Sequence, residues 1–118
     1  MKRGKKSPRR KLVAELDRVF SLYIRAKSKV CVFCGKPTEH WFHIITRAKY
    51  AVRWDESNAV PSCAGCNFRM EYDPHPFIKW YIDTYGLPAY EDLILRSNKI
   101  AKFSADDLQN MIDKYKGI

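Results

Sequence analysis

Leu12, Val13, Leu16, Val19, Phe20, Tyr23 and Ile24 recur at the three- and four-residue steps of a single helix face. Ser7-Pro8 stands directly in front of them, a cap residue followed by a proline suited to the first helical position. The spacing predicts a helix over 8–27. From Val30 the apolar positions shorten into pieces broken by Gly35 and Pro37, which predicts a turn, then a strand over Trp41 to Ile45. A loop and a second short strand are expected between Thr46 and Pro61. Cys66 to Tyr72 reads as a short helix stopped by Asp73-Pro74, and three more helices are expected over Phe77 to Tyr85 (ending at Gly86), Tyr90 to Ser97, and Ala105 to Lys116. Ser104 and Asp107 have the spacing of a capping box, with Asp a poorer reciprocal partner than Glu. Leu93, Ile94, Leu108, Met111, Ile112 and Tyr115 then fall on faces suited to a core. Trp80, Tyr81 and Tyr85, at helical spacing, read first as packing and second as platforms for stacked bases.

Composition narrows the class. In 118 residues, 46% hydrophobic and 14% aromatic side chains exclude a wholly disordered polymer. No apolar run approaches the roughly 20 residues needed to cross a bilayer, and the basic N-terminus runs straight from Leu12-Val13-Ala14 into Glu15 and Asp17 rather than into a signal-peptide core. An intracellular protein is expected, with no membrane partner.

Four cysteines change the picture further. Cys31 and Cys34 form one Cys-x-x-Cys pair and Cys63 and Cys66 another, with 28 residues between the pairs. Two such turns present four sulfurs to one tetrahedral metal, so a structural zinc is the expected occupant; two disulfides, or a redox-active pair, are the alternatives. Zinc with four thiolates has no open position, and chemistry would have to come from elsewhere.

The formal net charge of +9 is concentrated at one end. Lys2, Arg3, Lys5, Lys6, Arg9, Arg10 and Lys11 carry no acid among them, while residues 31–118 balance at eleven basic and eleven acidic. Residues 1–11 are therefore read as a basic arm for a phosphate backbone, against a solvated tail or an import signal. Residues 12–118 are read as a single domain, with 31–75 the knuckle and core and 76–118 a helical tail.

Between the cysteine pairs lie His40-Trp41-Phe42-His43 and Arg53-Trp54-Asp55-Glu56-Ser57-Asn58, and Asn67 follows the last cysteine. This order resembles the HNH (His-Asn-His/Asn) nucleases, whose ββα-metal core is often mounted on a four-cysteine knuckle. More narrowly, Cys31-Val32-Phe33-Cys34-Gly35, Phe42-His43-Ile44-Ile45-Thr46-Arg47, Arg53-Trp54-Asp55-Glu56-Ser57-Asn58, Cys63-Ala64-Gly65-Cys66-Asn67 and the stretch Phe77 to Gly86, like a helix ending in Tyr-Gly after the knuckle, resemble the phage NinG (Rap) recombination endonucleases over roughly residues 31–86. The resemblance implies an α+β fold in which a zinc-stapled ββα-metal core is flanked by one N-terminal and about three C-terminal helices. It implies metal-dependent hydrolysis of DNA phosphodiesters, on branched recombination intermediates, in the host cytoplasm if the protein is a phage's.

Residue by residue, His43 matches the general base, Asn58 the middle Asn that orients it, and Asn67 the third position, an oxygen ligand for Mg²⁺ or Mn²⁺. Imidazole suits proton abstraction near neutral pH, and a divalent cation offsets charge on the phosphate. Glu71, one turn beyond Asn67, is a second candidate ligand by geometry. His40 is a third; three residues from His43 on a regular strand it would face the other way unless the backbone bulges. Arg47 and Arg53 are further candidates for contact with nucleic acid. The plainer readings are a core histidine at His43, a turn cap at Asn58, a helix cap at Asn67, a surface acid at Glu71 and an exposed turn residue at His75. Phe42 departs from the many HNH enzymes that carry an Asp or His ligand just before the base. A non-catalytic zinc-stapled module that binds DNA or RNA is accordingly the alternative function.

Overall fold

The structure is a computed structural model and describes residues 7–117. It is α+β, mostly helical, with a small two-stranded sheet. The elements run α1 (Pro8–Arg25), β1 (His40–His43), α2 (Tyr50–Arg53), a 3₁₀ turn (Glu56–Asn58), β2 (Ala59–Ser62), α3 (Ala64–Arg69), α4 (His75–Tyr85), α5 (Leu87–Ser97) and α6 (Ala105–Lys116).

Within the described residues the chain forms two compact units, one of residues 7–23 with 103–117 and the other of Ile24–Lys102. In the first, α1 buries Leu16, Val19 and Phe20 and α6 buries Leu108 and Ile112. Tyr115 packs its ring against Phe20 and Tyr23 at centroid distances of 4.8 and 4.9 Å. The capping box is complete: Asp107 N–H donates to Ser104 Oγ (3.0 Å) and Ser104 N–H donates to Asp107 Oδ2 (2.9 Å). Asp107 is close enough to satisfy a role that Glu usually fills.

In the second unit β1 and β2 pair antiparallel, His40 with Ser62, Trp41 with Pro61, Phe42 with Val60 and His43 with Ala59. Phe42, Val60, Ile44, Val52, Phe77, Tyr81 and Leu93 share its core with three of the cysteines. β1 starts one residue before the expected strand and ends two before its expected end. The main-chain N–H and C=O of Ile45 are both taken by the Asn58 side chain, so they cannot serve a ladder.

The expected loop before β2 contains α2 and the 3₁₀ turn. Asp55 caps that turn, its Oδ1 accepting from Ser57 N–H at 2.9 Å. α3 begins two residues before the predicted helix because Cys63 caps it, Cys66 N–H donating to Cys63 Sγ at 3.4 Å. It ends at Arg69, and tight turns continue the chain, with Glu71 N–H on Phe68 O and Tyr72 N–H on Arg69 O. α4 takes in His75, exposed in its first turn, and α5 begins at Leu87-Pro88. Gly86 separates the two at φ 96° and ψ 151°, a conformation that essentially requires glycine.

Candidate metal cluster and histidine cleft

The four sulfurs Cys31, Cys34, Cys63 and Cys66 lie within 4.8 Å of one another, and no disulfide joins them. Local backbone explains how. Gly35, at φ 79°, turns the first pair, with Gly35 N–H on Cys31 O and Cys31 N–H on Lys36 O. Phe33 N–H points at Cys31 Sγ (3.4 Å) and Val32 N–H ties the turn to Pro61 O of β2 (3.2 Å). The second pair straddles the start of α3.

The Cys66 N–H beside its sulfur is the main cause of a lowered Cys63 thiol pKa, whereas burial pushes the Cys66 thiol up. Arg69 Nη2 donates to Cys66 Sγ at 3.0 Å. Four thiolates this close repel unless a cation sits among them, and the donor set and separations fit one tetrahedral ion. The cluster could therefore hold a structural zinc. Among the described residues it is the one group of three or more His, Cys, Asp or Glu side chains whose ligand atoms converge in this way.

Beside the sheet is a cleft of about 490 Å³ lined by His40, Trp41, His43, Arg47, Asn67 and Glu71, together with Thr46 and Met70. His43 is half-buried, its ring 4.3 Å from Trp41 between centroids, and its Nε2 is 3.1 Å from Arg53 O. That carbonyl ends α2, where helix acceptors lack intrahelical partners. A neutral His43 protonated at Nε2 donates to it, which leaves Nδ1 as the basic nitrogen.

Asn58 does not line the cleft. It is fully buried, with Oδ1 accepting from Ile45 N–H (2.7 Å) and Nδ2 donating to Ile45 O (2.9 Å) and Val52 O (3.1 Å). It thus bridges the end of β1 to α2, whose last carbonyl meets His43. His40 lines the cleft from the exposed first position of β1, and the strand pairs regularly there without a bulge. Glu71 reaches the cleft from the turn after α3, with Asn67 on the helix itself.

Arg53 contributes its carbonyl, while its guanidinium lies over the Tyr50 and Trp54 rings at 5.2 and 5.3 Å. Arg9, Arg10 and Lys11 are exposed on the first turn of α1, and Arg9 donates to Phe103 O. Lys2, Arg3, Lys5 and Lys6 lie outside the described residues.

Several supports escape sequence reading. Tyr81 Oη donates to Ser57 O (2.8 Å), and Arg96 donates to Asp55 and Asp92 and to Ser57 Oγ (3.0 Å). Burial alone would raise the Asp55 pKa. Hydrogen bonds from Ser57 and the charge of Arg96 outweigh it and hold the carboxyl below its ordinary range. α4 and α5 thereby clamp the turn that carries Asn58. The Asp55-x-Ser57 spacing signals the local cap, but nothing in the sequence pairs Asp55 with a residue 41 positions away.

Fold and site together define a small α+β protein with four converging cysteines that could hold a metal ion, and a histidine-lined cleft. The chain belongs to the NinG family: the profile described as bacteriophage lambda NinG protein matches residues 1–118, the arm and last helix included. Membership suggests a phage role related to recombination. No curated protein and no solved structure matches the chain. Among the described residues no helix is long and apolar enough to cross a membrane.

Proposed function

We propose that this chain is an HNH-type endonuclease that hydrolyses DNA phosphodiester bonds, on branched recombination intermediates as the family resemblance implies. The observation that carries the reading is His43 at the cleft, with Nε2 held on the Arg53 carbonyl and Asn67, Glu71, His40 and Arg47 on the same lining. The succession of β1, β2 and α3 supports a ββα-metal core, and the cysteine cluster is read as its zinc staple.

In this reading Nδ1 of His43 takes a proton from the water that attacks phosphorus. The bond from phosphorus to the 3′ oxygen breaks with its electron pair going to that oxygen, which takes a proton from solvent water, and the products carry 5′ phosphate and 3′ hydroxyl ends. Trp41 and the Arg53 carbonyl hold the ring in place, and Asn58 holds the loop that supplies the carbonyl. Arg47 offers positive charge to the phosphate.

His40, Glu71 and Asn67 do not form a ready-made cage. They fit instead the habit of Mg²⁺ and Mn²⁺ at phosphates, where one or two protein donors are completed by substrate oxygens. When bound, the cation would offset charge on the phosphate and the departing oxygen. The basic residues of the arm, from Lys2 to Lys11, are read as phosphate contacts.

The test is nicking of supercoiled plasmid with and without Mg²⁺ or Mn²⁺. Metal-dependent nicking is expected, and His43→Ala should cost about 10²- to 10⁴-fold in rate with metal content and melting unchanged. Activity that survives His43→Ala would remove the reading's main support. The second reading, a non-catalytic DNA- or RNA-binding module, draws on Phe42. This residue is fully buried in the core at a position where many HNH enzymes carry a ligand. Binding without nicking would favour it.

A further inference from the structure

A second cleft, of about 390 Å³, is lined by Phe33, Arg69, Tyr72, Asp73, Phe77 and Trp80. We propose that it takes an unpaired nucleobase of the DNA strand whose phosphate lies in the His43 cleft, an inference that rests on the nucleic-acid reading above.

The two clefts share one short stretch of chain. Asn67, Met70 and Glu71 line the first, and Arg69, Tyr72 and Asp73 line the second. The clefts thus flank one short segment, residues 67–73 at the end of α3 and in the turns after it, and a strand crossing that segment would reach both within a few nucleotides.

The lining suits a base. Phe33 meets Phe42, Phe77 and Trp80 at centroid distances of 4.8, 4.9 and 4.8 Å with interplanar angles of 61°, 86° and 73°. These contacts hold the aromatic wall rigid before any ligand arrives, and little freedom is left to lose on binding. Tyr72 is 73% exposed, its ring tilted at 54° against that of Phe68, itself 59% exposed, at 5.0 Å between centroids. Clustered aromatic surface of this kind is unfavourable in water unless something covers it.

Arg69 lines the cleft while its Nη2 donates to Cys66 Sγ, and Asp73 puts a carboxylate there that matches the N–H edge of a base. The volume lies at the small end for ligand pockets and suits a single nucleoside. A paired base keeps its faces in the duplex stack and cannot enter; a base at an overhang or branch can.

The test uses the full chain without added Mg²⁺ or Mn²⁺, so that the strand stays whole. Affinity is measured for a duplex bearing 2-aminopurine in a three-nucleotide overhang and for the blunt duplex with the same label. The overhang should bind at least about 5-fold more tightly, the lower bound for stacking one base on an aromatic ring, and the label's emission should fall. Trp80→Ala should remove the advantage. Tyr72→Ala should reduce it as well, and Tyr72 is exposed enough to be replaced without unfolding the protein. Equal affinity for both duplexes, or an advantage that survives both substitutions, overturns the proposal and leaves the nuclease reading standing. Failure to bind either duplex overturns both.

Discussion

Where α1 meets α6, Tyr115 packs on Phe20 and Tyr23 and Lys116 pairs with Glu15 at 3.4 Å, while Leu16 and Val19 on one helix and Leu108 and Ile112 on the other are buried. In the Ile24–Lys102 unit, Phe42, Val60 and Leu93 share the centre with three cysteines and a fully buried Asn58 that makes three hydrogen bonds. The helix pair coheres mainly through apolar periodicity, since the Lys116–Glu15 ion pair is exposed and adds little. The other unit has short elements, four-residue strands among them, and relies on sulfur chemistry and side-chain bridges to hold them in register. Stability in the first should answer to volume, and in the second to metal and polar partners.

The largest expected effect is on the cysteine cluster. Structural zinc contributes on the order of 10 kcal/mol of apparent binding free energy, comparable with the entire stability of a small domain. Elemental analysis should find one zinc per chain, and Cys63→Ser should lower metal content and melting temperature together. A melt unmoved by the substitution would mean that the sulfurs are not held by metal, and the contrast between the units would collapse.

Next is Phe20→Ala, expected to cost about 3–5 kcal/mol through the cavity it leaves. Zinc content should stay at the wild-type value in the fraction that remains folded. Metal lost in parallel with the helix pair would show that the two units answer to one another.

Asp55→Asn removes a partly buried ion pair with Arg96 and should destabilise by about 1–3 kcal/mol at neutral pH. The sign of its pH dependence follows from the lowered pKa. The contribution is present above the ordinary value of 3.8 and is lost as pH falls through the lower folded-state value. Urea midpoints of variant and parent should therefore converge in acid, below about pH 4. The smallest effect is Ser104→Ala, about 1 kcal/mol from the lost cap on α6, with cleft and cluster untouched; thermal melts resolve it.

The same contrast separates what was legible in the sequence from what was not. α1 and α6 were readable because Leu12 to Ile24 and Leu108 to Tyr115 repeat at helical steps and caps mark their starts. The cysteine pairs were readable because a metal turn demands that spacing. α2 was not, since Tyr50-Ala51-Val52-Arg53 is too short to show a period, and its place depends on the Asn58 amide reaching Val52 O. His43 could be nominated from the motif, but its orientation on Arg53 O could not, because the acceptor is a backbone carbonyl and any residue type supplies one. The Arg96 clamp on Asp55 is a tertiary contact with no local trace.

The 28 residues between Cys34 and Cys63 contain His40, His43 and Asn58, so metal capture would close a ring around most of the candidate site. Bringing the ends of such a segment together costs roughly 3 kcal/mol of chain entropy beyond a constant, and the metal–sulfur bonds would have to supply it. During synthesis the ring could not close before Cys66 leaves the ribosome. Until then Asn67, which follows Cys66, would be missing from the cleft, and any chemistry that His43 and Asn67 share would wait on the second cysteine pair.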